Sequence, residues 1–144
     1  LGRIRTIRER VKSSILLVTH DIGVIAQIAD RVGVMYAGQI VELAPTRDLF
    51  ERPWHPYTLG LKNAFPNILA TGRELISIPG SPPDLSSPLP GCGFAERCPF
   101  VLDLCRLQRP APIEVAAGRR TACTRTADIE AIRAASAEKA TWHC

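Results

Sequence analysis

The first strong hydrophobic signal is the unbroken apolar run of residues 15–18, which the polar residues Thr19, His20 and Asp21 follow at once. An apolar run of this length is typical of a strand buried on both faces of a parallel sheet. The polar residues would then lie at the carboxyl end of that strand, where open α/β sheets bind ligands. The pattern predicts an α/β fold with His20 at its functional edge. Taken alone, however, a histidine after a strand is more often an ordinary surface or capping residue.

Hydrophobic periodicity and capping residues predict a short series of elements around this strand. Segments whose apolar residues recur at helical spacing alternate with segments whose apolar residues recur at strand spacing, and turn residues separate them. The predicted elements are a helix over residues 2–12, a helix over 22–29 capped by Asp21, a strand over 32–36, a turn at Ala37-Gly38, and a returning strand over 39–43.

The chain after residue 43 is predicted to form an irregular helical, proline-rich extension. A short helix is predicted to begin at Thr46 as its N-cap and to stop at Pro53, and another to have Pro56 in its first turn. Residues 66–90 form a connector in which five prolines crowd the last dozen positions, a composition that excludes a helix. An alanine-rich helix is predicted over residues 127–140.

The charge distribution argues against a nucleic-acid-binding protein. The net charge of +4 resides in the first twelve residues, and the rest of the 144-residue chain carries equal numbers of basic and acidic side chains. The sequence shows no signal peptide and no apolar run of transmembrane length, so we expect a soluble chain. It opens inside a predicted helix and contains no Gly-x-x-x-x-Gly-Lys-Ser/Thr loop, so we expect a truncated chain.

Four cysteines, Cys92, Cys98, Cys105 and Cys123, fall within a short window with the spacing Cys-x5-Cys-x6-Cys-x17-Cys. Four inert buried cysteines, a zinc site and a [4Fe–4S] cluster are the alternatives that the residues leave open. Zinc sites usually contain Cys-x2–4-Cys pairs, which are missing here, whereas a cluster tolerates wider spacing. Gly91, Gly93, a proline after Cys98 and three surplus positive charges over residues 92–125 favour the cluster.

Residues 21–42, DIGVIAQIADRVGVMYAGQIVE, closely resemble the segment that follows the switch histidine of ABC-transporter ATPases. The resemblance is strongest to the ATP-binding subunits of oligopeptide and dipeptide importers. His55-Pro56-Tyr57 followed by Thr58-x-x-Leu61 is similar to a hallmark of their carboxyl-terminal extension, and the four cysteines match a pattern found in members of that family. We interpret His55 as structural, because no partner ligand lies near it in the sequence.

The resemblance implies that the chain is the carboxyl-terminal part of a P-loop ABC nucleotide-binding domain followed by the extension. The implied division is 1–43 for the nucleotide-binding part, 44–125 for the extension and 126–144 for a terminal helix and tail. His20 would contact the γ-phosphate of ATP and the attacking water, and Asp21 would orient the loop. ATP with Mg²⁺ would also need residues upstream of Leu1, so the chain alone is expected to be inactive.

The resemblance further implies a place and partners for the protein. It would act at the cytoplasmic side of the cell membrane with a second ABC ATPase subunit, two transmembrane permease subunits and, indirectly, an extracytoplasmic peptide-binding protein. A cytosolic location disfavours disulfides, and the family resemblance favours a [4Fe–4S] cluster over zinc at the four cysteines. The alternative function is a free-standing metal-binding interaction or regulatory module without ATPase activity.

Overall fold

The structure is a computed structural model that describes residues 13–64 and 75–143. Its helices are α1 (Ile22–Ile28), α2 (Thr46–Glu51), α3 (Pro56–Ala64), α4 (Asp103–Leu107) and α5 (Ile129–Ser136). Its strands are β1 (Arg31–Tyr36), β2 (Gln39–Pro45), β3 (Ile113–Ala116) and β4 (Arg119–Thr121). Short 3-10 turns cover Ala95–Arg97, Thr126–Asp128 and Lys139–Trp142. The helix predicted over residues 2–12 and the residue Cys144 lie outside the described residues.

The four strands form one antiparallel sheet in the order β1-β2-β4-β3. The predicted hairpin is confirmed, since β1 and β2 are joined by Ala37 and Gly38, whose φ angles are 46° and 73°. Two successive positive φ angles give a turn whose twist matches that of the flanking strands. Glu42 of β2 pairs with Thr121 of β4, so the sheet joins the hairpin to the segment beside the last of the four cysteines.

The buried parallel strand predicted over residues 15–18 is wrong for this structure. These residues form no regular secondary structure, and Leu16 and Val18 are 92% and 88% exposed. A strand is held by hydrogen bonds to a neighbouring strand, and the described residues supply none beside this segment. The resulting fold is a mixture of helices and an antiparallel sheet, which is compatible with the carboxyl-terminal part of an α/β domain.

Two capping predictions had different outcomes. The Asp21 carboxylate accepts the backbone N–H of Val24 at 3.0 Å, so the predicted cap of α1 is confirmed. The cap predicted at Thr46 is wrong, because Pro45 occupies the N-cap position of α2. The Thr46 hydroxyl instead donates to the carbonyl of Ala29 at 2.6 Å and so ties α2 to the end of α1.

The main core forms where the sheet meets the extension. Its buried members are Tyr36, Val41, Ile76, Phe94 and Trp142. Ile76 and Ile78 pack the described end of the connector onto this core. Leu85, further along the connector, is 57% exposed. A second cluster joins α3 to α5 through Leu59, Ile129 and Ile132. No helix in the described part of the chain is long and apolar enough to cross a membrane.

Candidate functional site

His20 and Asp21 lie directly before helix α1, and their side chains have different surroundings. The His20 side chain is exposed, at the end of the extended segment of residues 13–20. The Asp21 backbone N–H donates to the Thr19 hydroxyl at 3.0 Å, while its side chain caps α1. Asp21 therefore fixes the direction of the chain directly after His20, whose side chain is exposed.

The structure brings the four cysteines together around one small, mostly apolar cavity. This cysteine cavity is lined by Cys92, Cys98, Cys105 and Cys123, together with His55, Phe94, Phe100 and neighbouring residues. All four are free thiols and half-buried. The Cys92 backbone N–H donates to the Cys105 carbonyl at 2.7 Å and thereby fixes the loop of residues 91–98 against α4.

Backbone N–H groups face the sulfurs inside the cavity. The Arg125 N–H donates to Cys123 Sγ at 3.4 Å, and the N–H groups of Phe94 and Phe100 lie near the Cys92 and Cys98 sulfurs, where they favour the thiolate form. These N–H groups do not include those of Gly91 and Gly93. Gly91 has a packing role instead, since a Cβ there would lie 2.3 Å from the Cys105 carbonyl oxygen. Hydrogen bonds of this kind stabilise a negatively charged sulfur.

Burial opposes ionisation of these thiols. It raises the pKa of Cys98 to about 12 and that of Cys123 to about 11, and it also raises the pKa of Cys92. Neighbouring sulfurs act in the same direction, because two thiolates in one cavity repel each other. Cys92, Cys98 and Cys123 are therefore neutral at pH 7 by themselves, and a positively charged centre that replaces the protons would favour their thiolates.

Four thiols that line one cavity are the donor type of zinc sites and of iron–sulfur clusters. Within residues 13–64 and 75–143, no three His, Cys, Asp or Glu side chains are arranged to hold one metal ion. Four sulfurs around a shared cavity, three of them facing backbone N–H donors, suit a cluster whose irons are separate corners.

His55 lies fully buried beside the cysteine cavity. Its Nδ1 accepts the N–H of Tyr57 at 3.1 Å, its ring bonds the Ala122 backbone, and its centroid is 6.1 Å from that of Phe94. Burial lowers the pKa of His55 to about 3, so the ring is neutral at pH 7. This geometry agrees with the structural interpretation made from the sequence.

Glu42 is the functional neighbour that the sequence reasoning missed. Its side chain is 1% exposed, and its carboxylate accepts the backbone N–H groups of Trp54 at 2.8 Å and His55 at 2.9 Å. Burial raises the pKa of Glu42 in spite of these bonds. An acidic residue at an inward position among Val41, Leu43 and Ala44 was the available signal, because a buried carboxylate needs donors.

Comparison of the sequence with known proteins identifies a matching family. Residues 41–105 match the family model described as oligopeptide/dipeptide transporter, C-terminal region. This segment contains β2, α2, α3 and three of the four cysteines. The chain therefore contains the C-terminal region of the oligopeptide/dipeptide transporter family, and its relatives are ATP-binding proteins of peptide transporters.

Individual relatives cover most of the chain. It is 46% identical over 125 residues to a probable peptide ABC transporter ATP-binding protein of Sinorhizobium fredii, with 85% of the chain and 37% of the relative covered. It is 50% identical over 101 residues to the dipeptide transport ATP-binding protein DppD of Bacillus subtilis, with 70% and 30% covered. It is 44% identical over 127 residues to the oligopeptide transport ATP-binding protein OppD of Mycobacterium bovis, with 88% and 21% covered. The chain thus spans between a fifth and two fifths of the relatives' lengths.

Proposed function

We propose that this chain is part of the ATP-hydrolysing subunit of an ABC transporter that imports oligopeptides or dipeptides. The observation that carries the proposal is 44–50% identity to ATP-binding proteins of peptide transporters. An alignment over 127 of the 144 residues includes everything from residue 18 to residue 127, wherever it begins. The similarity therefore extends over His20 and Asp21 as well as the extension.

His20 and Asp21 are the proposed catalytic residues within this chain. The exposed imidazole of His20 would meet the γ-phosphate and the attacking water of bound ATP, and the Asp21 cap holds the chain that presents it. The phosphate cradle for ATP and Mg²⁺ would come from residues outside this sequence, which contains no P-loop motif. The 144-residue chain by itself is therefore expected to be inactive.

The domain division proposed from the sequence has a structural consequence. Residues 1–43 would belong to the nucleotide-binding part, 44–125 to the extension and 126–144 to the terminal helix and tail. The sheet crosses the first boundary, because β2 pairs with β4, and Trp142 packs against Tyr36 and Phe94. A rearrangement of the nucleotide-binding part would therefore also move the extension. This coupling is expected if the extension contacts a partner subunit.

The four cysteines are proposed to hold a [4Fe–4S] cluster, with zinc as the alternative. Their shared cavity and the Arg125 N–H that Cys123 accepts support a centre bound by thiolates, and the cysteine spacing in the sequence favours the cluster over zinc. When bound, such a cluster supplies a cross-link between the loop of residues 91–98, helix α4 and the segment after β4. The chain's own contribution is to bring the four cysteines to one cavity.

The proposed partners are a second ABC ATPase subunit, two transmembrane permease subunits and, indirectly, an extracytoplasmic peptide-binding protein. The proposed location is the cytoplasmic side of the cell membrane, on the grounds of the family. The alternative of a free-standing metal-binding module is not favoured, because each of the relatives named above is a transporter ATP-binding protein.

The test is ATP hydrolysis by the full-length subunit assembled with its permease. His20→Ala should remove most turnover while nucleotide binding stays close to wild type, because His20 acts on the γ-phosphate and water. His143→Ala, which changes another exposed histidine, is the matched control and should leave turnover unchanged. Normal turnover in His20→Ala would refute the catalytic assignment, and absence of ATP binding by the wild-type complex would refute the proposed function.

A further inference from the structure

Three of the four cysteine sulfurs have a backbone N–H group nearby, two residues further along the chain. Arg125 N lies 3.4 Å from Cys123 Sγ, and the N–H groups of Phe94 and Phe100 favour the thiolate forms of Cys92 and Cys98. This geometry requires the chain to turn directly after each cysteine, which is possible in a loop. Each of these three cysteines does lie outside the helices and strands of the fold.

Cys105 is different because it lies inside helix α4. In an α-helix the N–H of residue 107 points along the axis to the carbonyl of residue 103, so it is not directed at the Cys105 sulfur. A side chain stands in its place, with Thr124 Oγ1 3.3 Å from Cys105 Sγ. Thr124 directly follows Cys123, so the segment that carries the fourth sulfur also contacts the third.

The direction of this hydrogen bond follows from the charge on the sulfur. A metal-bound cysteine is a thiolate, has no proton and can only accept, so the Thr124 hydroxyl must be the donor in the loaded protein. We propose that Thr124 is a positioning residue of the metal–sulfur centre, whose hydroxyl gives the Cys105 thiolate the hydrogen bond that backbone N–H groups give the other three. This inference rests on the cluster proposed above.

A hydrogen bond to a cluster sulfur stabilises the reduced form, because that form carries more negative charge. The Thr124 hydroxyl therefore raises the reduction potential of the centre. Thr124 is exposed, so replacement of its hydroxyl by a methyl group removes the donor with little loss of packing. The shift in potential is thus separable from an effect on folding.

The experiment compares full-length wild-type protein with Thr124→Val and Thr124→Ser, all purified without oxygen. Iron and acid-labile sulfide per chain and the midpoint potential are measured for each. Thr124→Val should keep its cluster but show an equilibrium constant for one-electron reduction that is lower by up to about tenfold, or about 59 mV. Thr124→Ser retains a hydroxyl and should keep a potential close to that of wild type.

The outcomes separate this inference from the proposed cluster. Wild-type protein without iron and sulfide would refute the cluster and with it the role of Thr124. A loaded Thr124→Val variant with the wild-type potential would overturn only the role of Thr124. If Thr124→Val fails to load, the serine variant decides: a normal cluster and potential support the hydroxyl, whereas loss in this variant too overturns the proposal.

Discussion

The carboxylate of Glu42 on β2 accepts the backbone N–H of His55 just before helix α3, with Oε2 and N 2.9 Å apart. Its other oxygen accepts the N–H of Trp54. Glu42 therefore satisfies, from the sheet, two donors that precede α3, although the two partners lie 12 and 13 positions away in sequence. The sheet, the His55-Pro56-Tyr57 segment and the wall of the cysteine cavity are thus connected through one buried side chain.

Glu42→Gln should destabilise the chain by about 1–3 kcal/mol, because the amide keeps one acceptor oxygen and turns an NH₂ group toward a backbone donor. Chemical denaturation of the purified chain measures the change. Glu51→Gln is the matched control, since the Glu51 carboxylate is exposed and forms an ion pair with Arg47. Equal stabilities of the two variants would contradict the role given to Glu42.

His55 should make stability depend on acidity. Its pKa is lowered to about 3 in the folded chain, so below its unfolded pKa of about 6.5 the unfolded state binds more protons. The His55 contribution is fully present above pH 6.5 and falls as the pH is lowered toward 3, by up to about 1.4 kcal/mol per pH unit. The difference between wild type and His55→Gln across pH 4–7 measures this slope.

A pH-independent difference between those two proteins would show that His55 is solvated or charged in the folded chain. The raised pKa of Glu42 acts in the opposite direction, since it favours the folded state as the pH falls. Comparison with the His55→Gln variant, which retains Glu42, removes that contribution from the measured difference.

Gly91→Ala should displace α4 from the cysteine cavity. A Cβ at residue 91 would lie 2.3 Å from the Cys105 carbonyl oxygen and 2.5 Å from the Arg106 carbonyl carbon, both backbone atoms that cannot rotate away. Overpacking of this kind costs about 1–3 kcal/mol. Faster alkylation of Cys105 in native protein, with a lower midpoint of unfolding, is the expected result.

Gly33→Ala provides the control for that substitution, because its Cβ would meet nothing closer than the Leu43 side chain at 3.7 Å. This variant should keep the wild-type alkylation rate. A Gly91→Ala protein with unchanged stability and alkylation would contradict the close packing of the loop on α4.

Arg97 should hold the described end of the connector on the core. Its guanidinium donates to the carbonyls of Pro79 at 2.8 Å and Ile78 at 3.1 Å and to the Tyr36 hydroxyl at 3.1 Å. Arg97→Met removes all three bonds, so limited proteolysis within residues 75–90 should become several times faster. Arg106→Met removes one exposed ion pair with Glu96 and should not change the cleavage rate.

Local chemistry made part of this structure predictable. Asp21 has a side chain suited to an N-cap, and Ala37-Gly38 can adopt two successive positive φ angles, so α1 and the hairpin follow from neighbouring residues alone. The strand predicted over residues 15–18 failed because a buried strand depends on partners distant in sequence. Strands β3 and β4 were not predicted, since they are four and three residues long and polar in part.

The candidate site, like the fold, was predictable from the sequence only in part. The number and identity of the cysteines predicted a shared site, and the structure adds the common cavity. The donors that face the sulfurs could not be predicted, because they depend on where the chain turns after each cysteine. The position of Glu42 among apolar residues was a signal of its burial, but its partners could not be predicted, because they are backbone N–H groups that no sequence pattern distinguishes.

The most direct test of the shared metal–sulfur centre is iron and acid-labile sulfide per chain in full-length wild type and in each single Cys→Ser variant, purified without oxygen. The account predicts about four irons and four sulfides in wild type and in Cys144→Ser. It predicts loss or degradation of the cluster when Cys92, Cys98, Cys105 or Cys123 is replaced. Stoichiometric zinc without sulfide would show that the four cysteines bind zinc and not an iron–sulfur cluster. A wild-type protein that folds normally without any metal would contradict the account.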